Sequence, residues 1–499
     1  MSCCPFSAGD GSAVAPPSNP KNRPNMKKSI LSAVLTLTCM GATAQDDISL
    51  ATRQQQFALD IFQNVVENAE DPNVCFSPLS ATMALSMVQN GADGNTLEEM
   101  QTTLRTHGLS CEEVNLYNQQ LTQRLTSPPP FIYNPDDGLT EDQAFNKHQW
   151  LHPVCEIANA MWTKEGFSCY DSFNETLRTY YDAGIGSVDF TTQEGIDEIN
   201  GWVDENTHGL IPQIYDEPQD PMLMVVLANL LYLKAGWTHP FQSENTKPGT
   251  FHQADGSDAK VDMLHIAETF QTGGNRNFNT IRLPYGDERF TMTIFLPAES
   301  ATLPALTYDD WKDAVGPNTK YKEVHVQLPR FSIEGKYELK DILVAMGMHD
   351  AFDGNADFTR MSDEGLYISR VFQSTKIGVD EKGTEAAAVT VVEMRKTTTT
   401  MADSDFIVDR PFYFTIEAYD AILFAGCVNQ LGPESTHPAF LGDVNGDGNI
   451  TVTDVTMMVA HTLGHQDKDF IAANADINKD GSITITDITE TVSIIMGKN

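Results

Sequence analysis

Residues 380–394 read DEKGTEAAAVTVVEM, and the segment carries two conflicting preferences. Gly383 and the alanines 386–388 suit an exposed, flexible segment or a helical spacer. The run Val389, Thr390, Val391, Val392 suits a strand, because side chains branched at Cβ are stiff and pack well on a pleated surface. With period two, Thr384, Ala386, Ala388, Thr390, Val392 and Met394 share one face, and Glu385 and Glu393 fall on the other. An Ala/Glu surface helix is the competing reading, and the β-branched run disfavours it.

The segment lies near the end of a long region of mixed patterns. From Leu50 to Leu431 helical and strand periods alternate without an internal repeat. FALDIFQNVV has helical spacing, and LSATMALSMVQNGADGNTLEEM reads as an apolar helix ending near Gly91. FTMTIFLP and VHVQLPRFSI alternate as half-buried strands do. Residues 126–146 are rich in Pro and Asp and read as an exposed loop, and 432–440 (GPESTHPAF) read as a linker. The 499 residues are enough for more than one folding unit, and 41% hydrophobic content excludes global disorder. A formal net charge of −37 argues against nucleic acid and anionic membrane surfaces as partners, and favours cation sites.

The first 25 residues have no apolar period and read as a disordered leader or a start site placed too far upstream. Residues 26–44 begin with lysines, continue through a short apolar run and end in Ala42-Thr43-Ala44, the pattern of a secretory signal peptide. The run is too short to span a bilayer. Cleavage before Gln45 leaves Cys75, Cys111, Cys155, Cys169 and Cys427, whose scattered positions make no disulfide framework.

Beyond the linker, DVNGDGNITVTD and DINKDGSITITD repeat a calcium-loop pattern. Calcium takes six to eight oxygens, and a twelve-residue loop presents them at positions 1, 3, 5, 7, 9 and 12 with glycine at 6. Those positions hold Asp443, Asn445, Asp447, Asn449, Thr451 and Asp454, then Asp476, Asn478, Asp480, Ser482, Thr484 and Asp487. Two fully matched loops make a pair of acidic surface turns an inferior reading. Ile450 and Ile483 are expected to pair the loops through short strands. Apolar positions Val455, Val459, Leu463 and Ile488, Val492, Ile495 are expected to form the inner faces of the helices that follow. The doublet resembles a dockerin over 441–499: a small all-α module of two half EF-hands, each loop followed by one helix. The resemblance implies two calcium ions and a cohesin partner on a scaffolding protein, contacted through Val452, Thr453, Ile485 and Thr486.

The large region contains no G-x-S-x-G, H-E-x-x-H, G-x-x-x-x-G-K or G-x-G-x-x-G, so nothing favours an enzyme. Six stretches stand in order: NVCFSPLSATMALSMVQNGADGNTLEEM, INGWVDENTHGLIPQI, LANLLYLKAGWTHPF, LPRFSIEGKYELKDILVAMGMHDAF, VDEKGTEAAAVTVV, and DRPFYFTI followed by ILFAGCV. Over 45–431 the chain resembles a serpin. The resemblance implies an α+β fold of three β-sheets and eight to nine helices with an exposed reactive loop, and a monomer needing no cofactor. It also implies inhibition by suicide: a serine protease cleaves the loop as an acyl-enzyme, and the loop enters the central sheet as a new strand and distorts the protease.

The residues agree with that expectation. A strand entering a packed sheet needs small leading side chains, since overpacking costs ~1–3 kcal/mol per misfit. Gly383, Thr384, Ala386, Ala387 and Ala388 supply them. Glu381, Gly383, Thr384, Glu385 and the three alanines form the expected hinge. Non-inhibitory relatives that act as carriers typically place a bulky or charged residue where Thr384 stands, so an inhibitor is favoured over a carrier. Family spacing from Glu381 puts the scissile bond at Thr397-Thr398, or at Lys396-Thr397 for a loop one residue shorter. Counting back from Pro411 points nearer Thr400-Met401, which leaves a window from Arg395 to Met401. Arg395 or Lys396 suits a trypsin-like pocket; Thr397 suits an elastase-like or subtilisin-like one. Ser77, Ser80 and Asn229 match the family's polar cluster under the opening sheet, and Arg330 with Glu381 its charge pair at the loop entry. Gln373 stands where many serpins have histidine.

Overall fold

The computed structural model describes residues 48–129, 152–299, 303–384, 404–432, 442–445, 450–465, 470–478 and 482–495, together with 131, 133, 140, 144, 145 and 148. The expected leader, signal peptide, nearly all of the linker and most of 126–146 lie outside the described residues.

Helix formation begins at side-chain caps. Ser49 caps α1 (Leu50–Asn68), and Ser77 with Pro78 at the first turn starts α2 (Pro78–Gln89). α3 (Gly94–Thr103) follows Asp93, and Ser110 with Glu113 closes a capping box on α4 (Cys111–Thr126). α2 is buried on nearly every side, which is why its sequence is apolar throughout and not striped. The helices α5 (Asp171–Tyr181), α6 (Gln193–Asn206), α7 (Tyr308–Val315) and α8 (Lys340–Ala345) complete the large region, giving eight there among the described residues.

Fifteen strands form two hydrogen-bonded sheets among the described residues. The larger runs β1 (Val74–Phe76), β15 (Ala421–Val428), β14 (Phe412–Ala418), β8 (Phe290–Pro297), β7 (Phe278–Tyr285), β6 (Asp258–Gly274), β9 (Lys320–Pro329), β13 (Ser404–Ile407), with β5 (Lys247–His252) on β6. The smaller runs β10 (Phe331–Glu338), β11 (Phe372–Val379), β12 (Gly383–Thr384), β4 (Val225–Gly236), β2 (Val154–Lys164), β3 (Gly184–Val188). Three sheets were expected and two networks result, because the 17-residue β6 joins strand groups. It pairs with β5 through Asp258–Met263, with β9 through Met263–Thr272 and with β7 through Gln271–Gly274.

β8 corrects a second expectation. FTMTIFLP alternates in sequence, yet all of its residues are buried, because both faces are covered: Met292, Ile294 and Leu296 join one core cluster and Phe295 another. Thr293 remains inside by bonding the buried Glu417. The smaller sheet lies between two packed layers. Leu233 and Ala235 of β4 join the main core, whereas Val226 and Ala228 pack with Ile196 and Ile199 of α6.

In the C-terminal module, α9 (Val452–Thr462) and α10 (Ile485–Ile495) pack around Val444, Met458 and Ala475. Their inner faces differ from the expected stripes. Asp454 with Met458 and Asp487 with Thr491 point inward, while Val459 and Leu463 are exposed and Ile495 marginally so. A fully buried carboxylate at the twelfth loop position rotates each helix, so the residue four later follows it inward. Ile450 and Ile483 lie in no strand among the described residues; Ile483 packs into the small core instead.

Candidate functional site

The site is assembled where β11 turns into β12. Asp380 Oδ1 accepts from the backbone N–H of Lys382 (2.7 Å) and Gly383 (3.0 Å), which reverses the chain. Gly383 and Thr384 are thereby placed between two strands. Thr384 pairs with Val379 of β11 on one side and Ala235 of β4 on the other, and Gly383 pairs with Gly236. Glycine is required at 383: φ is +155°, and a Cβ there would stand 2.0 Å from the Ala235 carbonyl oxygen.

Thr384 is 1% exposed, and its hydroxyl bonds the Tyr285 hydroxyl at 2.5 Å. Tyr285 stacks on Trp237 with ring centroids 4.3 Å apart. Trp237 donates from Nε1 to the Asp380 carbonyl (2.9 Å) and from its backbone N–H to the Lys382 carbonyl (2.8 Å). Phe241 N–H reaches the Glu381 carbonyl at 2.9 Å. The hinge is thus held through its backbone and read through one small side chain. Sequence reasoning missed Trp237, Tyr285 and Asp380 as parts of it. Trp237 stood within the quoted motif AGW, but its stacking partner is contributed by β7.

Beside the turn, Glu381 Oε1 meets Arg330 Nη2 at 2.5 Å and accepts from Thr246 Oγ1 at 2.7 Å, with both charged side chains largely buried. Burial works to raise the Glu381 pKa, but Arg330 and the hydrogen bonds outweigh it and hold the carboxyl below its usual range. Asp380, without a cation partner of that kind, is pushed by burial up to about 6.

Farther along the sheet, the expected polar cluster is present. Gln373 grips the Ser77 backbone with its amide: Oε1 accepts from N–H and Nε2 donates to the carbonyl, both at 2.9 Å. Ser77 Oγ donates to the Leu423 carbonyl (2.7 Å), and Ser80 Oγ to the Asn229 carbonyl (2.9 Å). Asn229 Nδ2 donates to Asn159 Oδ1 (2.7 Å), while the buried Asn229 Oδ1 has no donor among the described residues. Beyond β12, no pairing joins β4 to β11 among the described residues. A cleft of about 1480 Å³, counting its open mouth, runs between them over Ser80, Ala84 and Leu85 of α2. Glu385, Ala386, Ala387, Ala388, Lys396, Thr397 and Thr398 lie outside the described residues.

The C-terminal loops form a second site with near-repeated geometry. Asp454 Oδ1 accepts from Val444 N–H (3.0 Å) and Asn445 N–H (3.2 Å), and Oδ2 from Thr451 N–H (2.8 Å) and Oγ1 (3.1 Å). Asp487 repeats this with Ile477, Asn478 and Thr484 at 2.9, 3.3, 2.8 and 3.1 Å. Burial opposes ionisation of Asp487, but those donors prevail and lower its pKa. These four bonds occupy the lone-pair sites of each carboxylate, so in this geometry the twelfth-position Asp is turned to the loop's own donors. The donor set Asp443, Asn445, Asp476, Asn478 and Ser482 is all oxygen, which fits calcium. Asp447, Asn449 and Asp480 lie outside the described residues. Thr451 also caps α9 and, like Thr484, donates inward to the loop's last carboxylate. Val452, Thr453, Ile485 and Thr486 are exposed at the two helix starts, Val452 by 70% and Ile485 by 77%.

All five described cysteines are free thiols. Burial raises Cys75, Cys155 and Cys427 to about 12, which makes them inert packing groups. Among the described residues no helix is long and apolar enough to cross a membrane.

Comparison with known proteins identifies a family for each of the two regions. The family model described as serpin (serine protease inhibitor) matches residues 52–431, and that of the dockerin type I domain matches 441–491. Iripin-8 of Ixodes ricinus is 29% identical over 81% of this chain and 98% of its own. The crystal structure of Serpin48 from Tenebrio molitor superposes with a TM-score of 0.66 at 27% identity, covering 78% of this chain and all of that one. Human thyroxine-binding globulin superposes at 0.65 and 25% identity, over 77% of this chain and all of its own.

Proposed function

The chain belongs to the serpin family and carries a dockerin type I domain, and from that premise we propose that it is a secreted suicide inhibitor of serine proteases. The observation that carries the reading is β12: the first two residues of the expected strand occupy the gap between β11 and β4. A protease serine attacks the loop carbonyl within 395–401, forms the acyl-enzyme and releases the new amine on the distal segment. The freed hinge then pairs onward from Thr384. Continuing the registers Thr384↔Ala235 and Thr384↔Val379 sets Thr390 between Asn229 and Gln373 and Met394 opposite Val225, the first residue of β4. Eleven residues of strand carry the acylated protease ~35 Å. The registers also put Ala386, Ala388 and Thr390 on the Thr384 side, facing the core. Thr390 thereby brings a hydroxyl donor to the side on which Asn229 Oδ1 lacks one.

Secretion rests on the signal-peptide pattern of 26–44. The twelve loop ligands hold two calcium ions, and the module docks the inhibitor to a cohesin. The exposed apolar residues Val452 and Val459 on α9 and Leu463 at its C-terminal cap, with Ile485 on α10, support docking, since such a stripe is solvated at a cost in the free chain. An inhibitor held this way protects a cell surface or a multi-enzyme complex from proteolysis.

Incubation with trypsin-, elastase- and subtilisin-like proteases should give a complex that survives SDS. Clean cleavage by all of them without a complex sinks the inhibitor reading and favours a carrier. Chelation of calcium should reduce far-UV helicity of the C-terminal module and release any bound cohesin.

A further inference from the structure

The nine-stranded sheet bears a histidine pair that neither site uses. His265 on β6 and His325 on β9 are diagonal neighbours, since His265 pairs with Gln327 and Ala267 with His325. His265 Nδ1 lies 3.3 Å from His325 Nε2, and the ring centroids are 5.4 Å apart. On the far side of the His325 ring, Nδ1 is 3.0 Å from Asp405 Oδ1 on β13. A carboxylate can only accept, so His325 Nδ1 carries the hydrogen and neutral His325 presents its Nε2 lone pair to His265.

The separation fits a shared ion well. Nitrogens bound at 2.0–2.1 Å to one tetrahedral metal stand about 3.3–3.4 Å apart. A carboxylate hydrogen-bonded to the remote nitrogen of a ligating imidazole is the usual second support of such a site. We propose that His265 Nδ1 and His325 Nε2 together bind one zinc-type divalent ion, with Asp405 orienting His325 and water completing the tetrahedron. The chemistry separates this site from the C-terminal loops: imidazole selects borderline transition metals, and the all-oxygen loops select calcium. Among the described residues no group of three or more ligating side chains surrounds the pair, and Lys247 acts on His265 electrostatically, so the site is weak.

Position gives it a consequence. β13 pairs in parallel with β9, Ser404 to Ile407 lying beside Val324 to Gln327. An ion on His325 fixes the Nδ1–H toward Asp405 and so tightens β13 on β9.

The test uses the full chain with its calcium sites saturated, titrated with zinc by calorimetry and with cobalt(II) by visible absorption. One zinc per chain and an intense tetrahedral cobalt band are expected. His265→Gln and His325→Gln should each abolish both, Asp405→Asn should weaken zinc about tenfold or more, and His148→Gln should change neither. Far-UV spectra of the variants establish that they are folded. Zinc binding that survives both histidine substitutions, a six-coordinate cobalt spectrum, or no zinc binding beyond what calcium displaces would each overturn the proposal.

Discussion

The two ends of the six-stranded sheet differ in how they treat the space between β4 and β11. At the Thr384 end, two residues fill it and are held by backbone hydrogen bonds from Trp237 and Phe241, a stacked Trp–Tyr pair and a buried ion pair. At the Asn229 end the strands flank a cleft, and the polar groups beneath it satisfy one another imperfectly. One end is closed by long-range contacts to the turn at residues 380–384; the other retains unmet pairing capacity. That asymmetry would give the proposed insertion a direction, from the filled end toward the unfilled one.

The largest effect should come from disrupting this direction. Ala388→Arg, facing the core in the proposed register, should abolish the SDS-stable complex and convert the inhibitor to a substrate. Ala387→Arg, on the opposite face, should lower complex yield far less. Equal loss in both would show that the register is wrong.

Next in size is the ion pair at the filled end. Arg330→Ala leaves the Glu381 carboxylate buried without its cation and should cost about 3–5 kcal/mol of native stability, read by denaturant unfolding. Glu381 titrates below its usual range, so this stability is present at neutral pH and disappears as pH falls through the lowered value.

At the cleft end, Gln373→Ala strips the Ser77 backbone of two partners and should cost about 1–3 kcal/mol. Gln373→His should introduce a pH dependence near neutrality that the amide lacks.

The smallest expected change belongs to Asp380, and its sign is opposite to that of Glu381. With a folded pKa raised to about 6, its contribution is complete at acidic pH and is lost as pH rises through that value. Asp380→Asn keeps an acceptor for the turn and cannot ionise, so it should raise the melting midpoint by about 2–4 °C above pH 6 and not below pH 4. A midpoint unchanged at every pH would show that the Asp380 charge is not destabilising.

Much of this was legible in the sequence wherever the cause is local. Gly383 and the small residues after it and the calcium-loop spacing each depend on neighbours a few residues away. Resemblance to a family added Ser77, Ser80, Asn229, Arg330 and Gln373, and the structure brings all five to the smaller sheet and its supports. The reading failed where burial depends on what lies on the second face. FTMTIFLP alternates like a half-exposed strand, but a core cluster covers each of its faces. Val459 and Leu463 have the period of an inner helical face, but the buried Asp454 carboxylate turns them outward.

The sequence by itself determined that residues 380–394 combine a flexible start with a strand-forming tail, and that two oxygen-rich loops recur near the end of the chain. Both follow from side-chain size, Cβ branching and short-range spacing. Only the tertiary structure decided that Thr384 lies against Tyr285, 99 residues away, and that His265, His325 and Asp405 meet across three strands. Such contacts depend on which strands become neighbours and in what register, and one chain read in order carries no local mark of either.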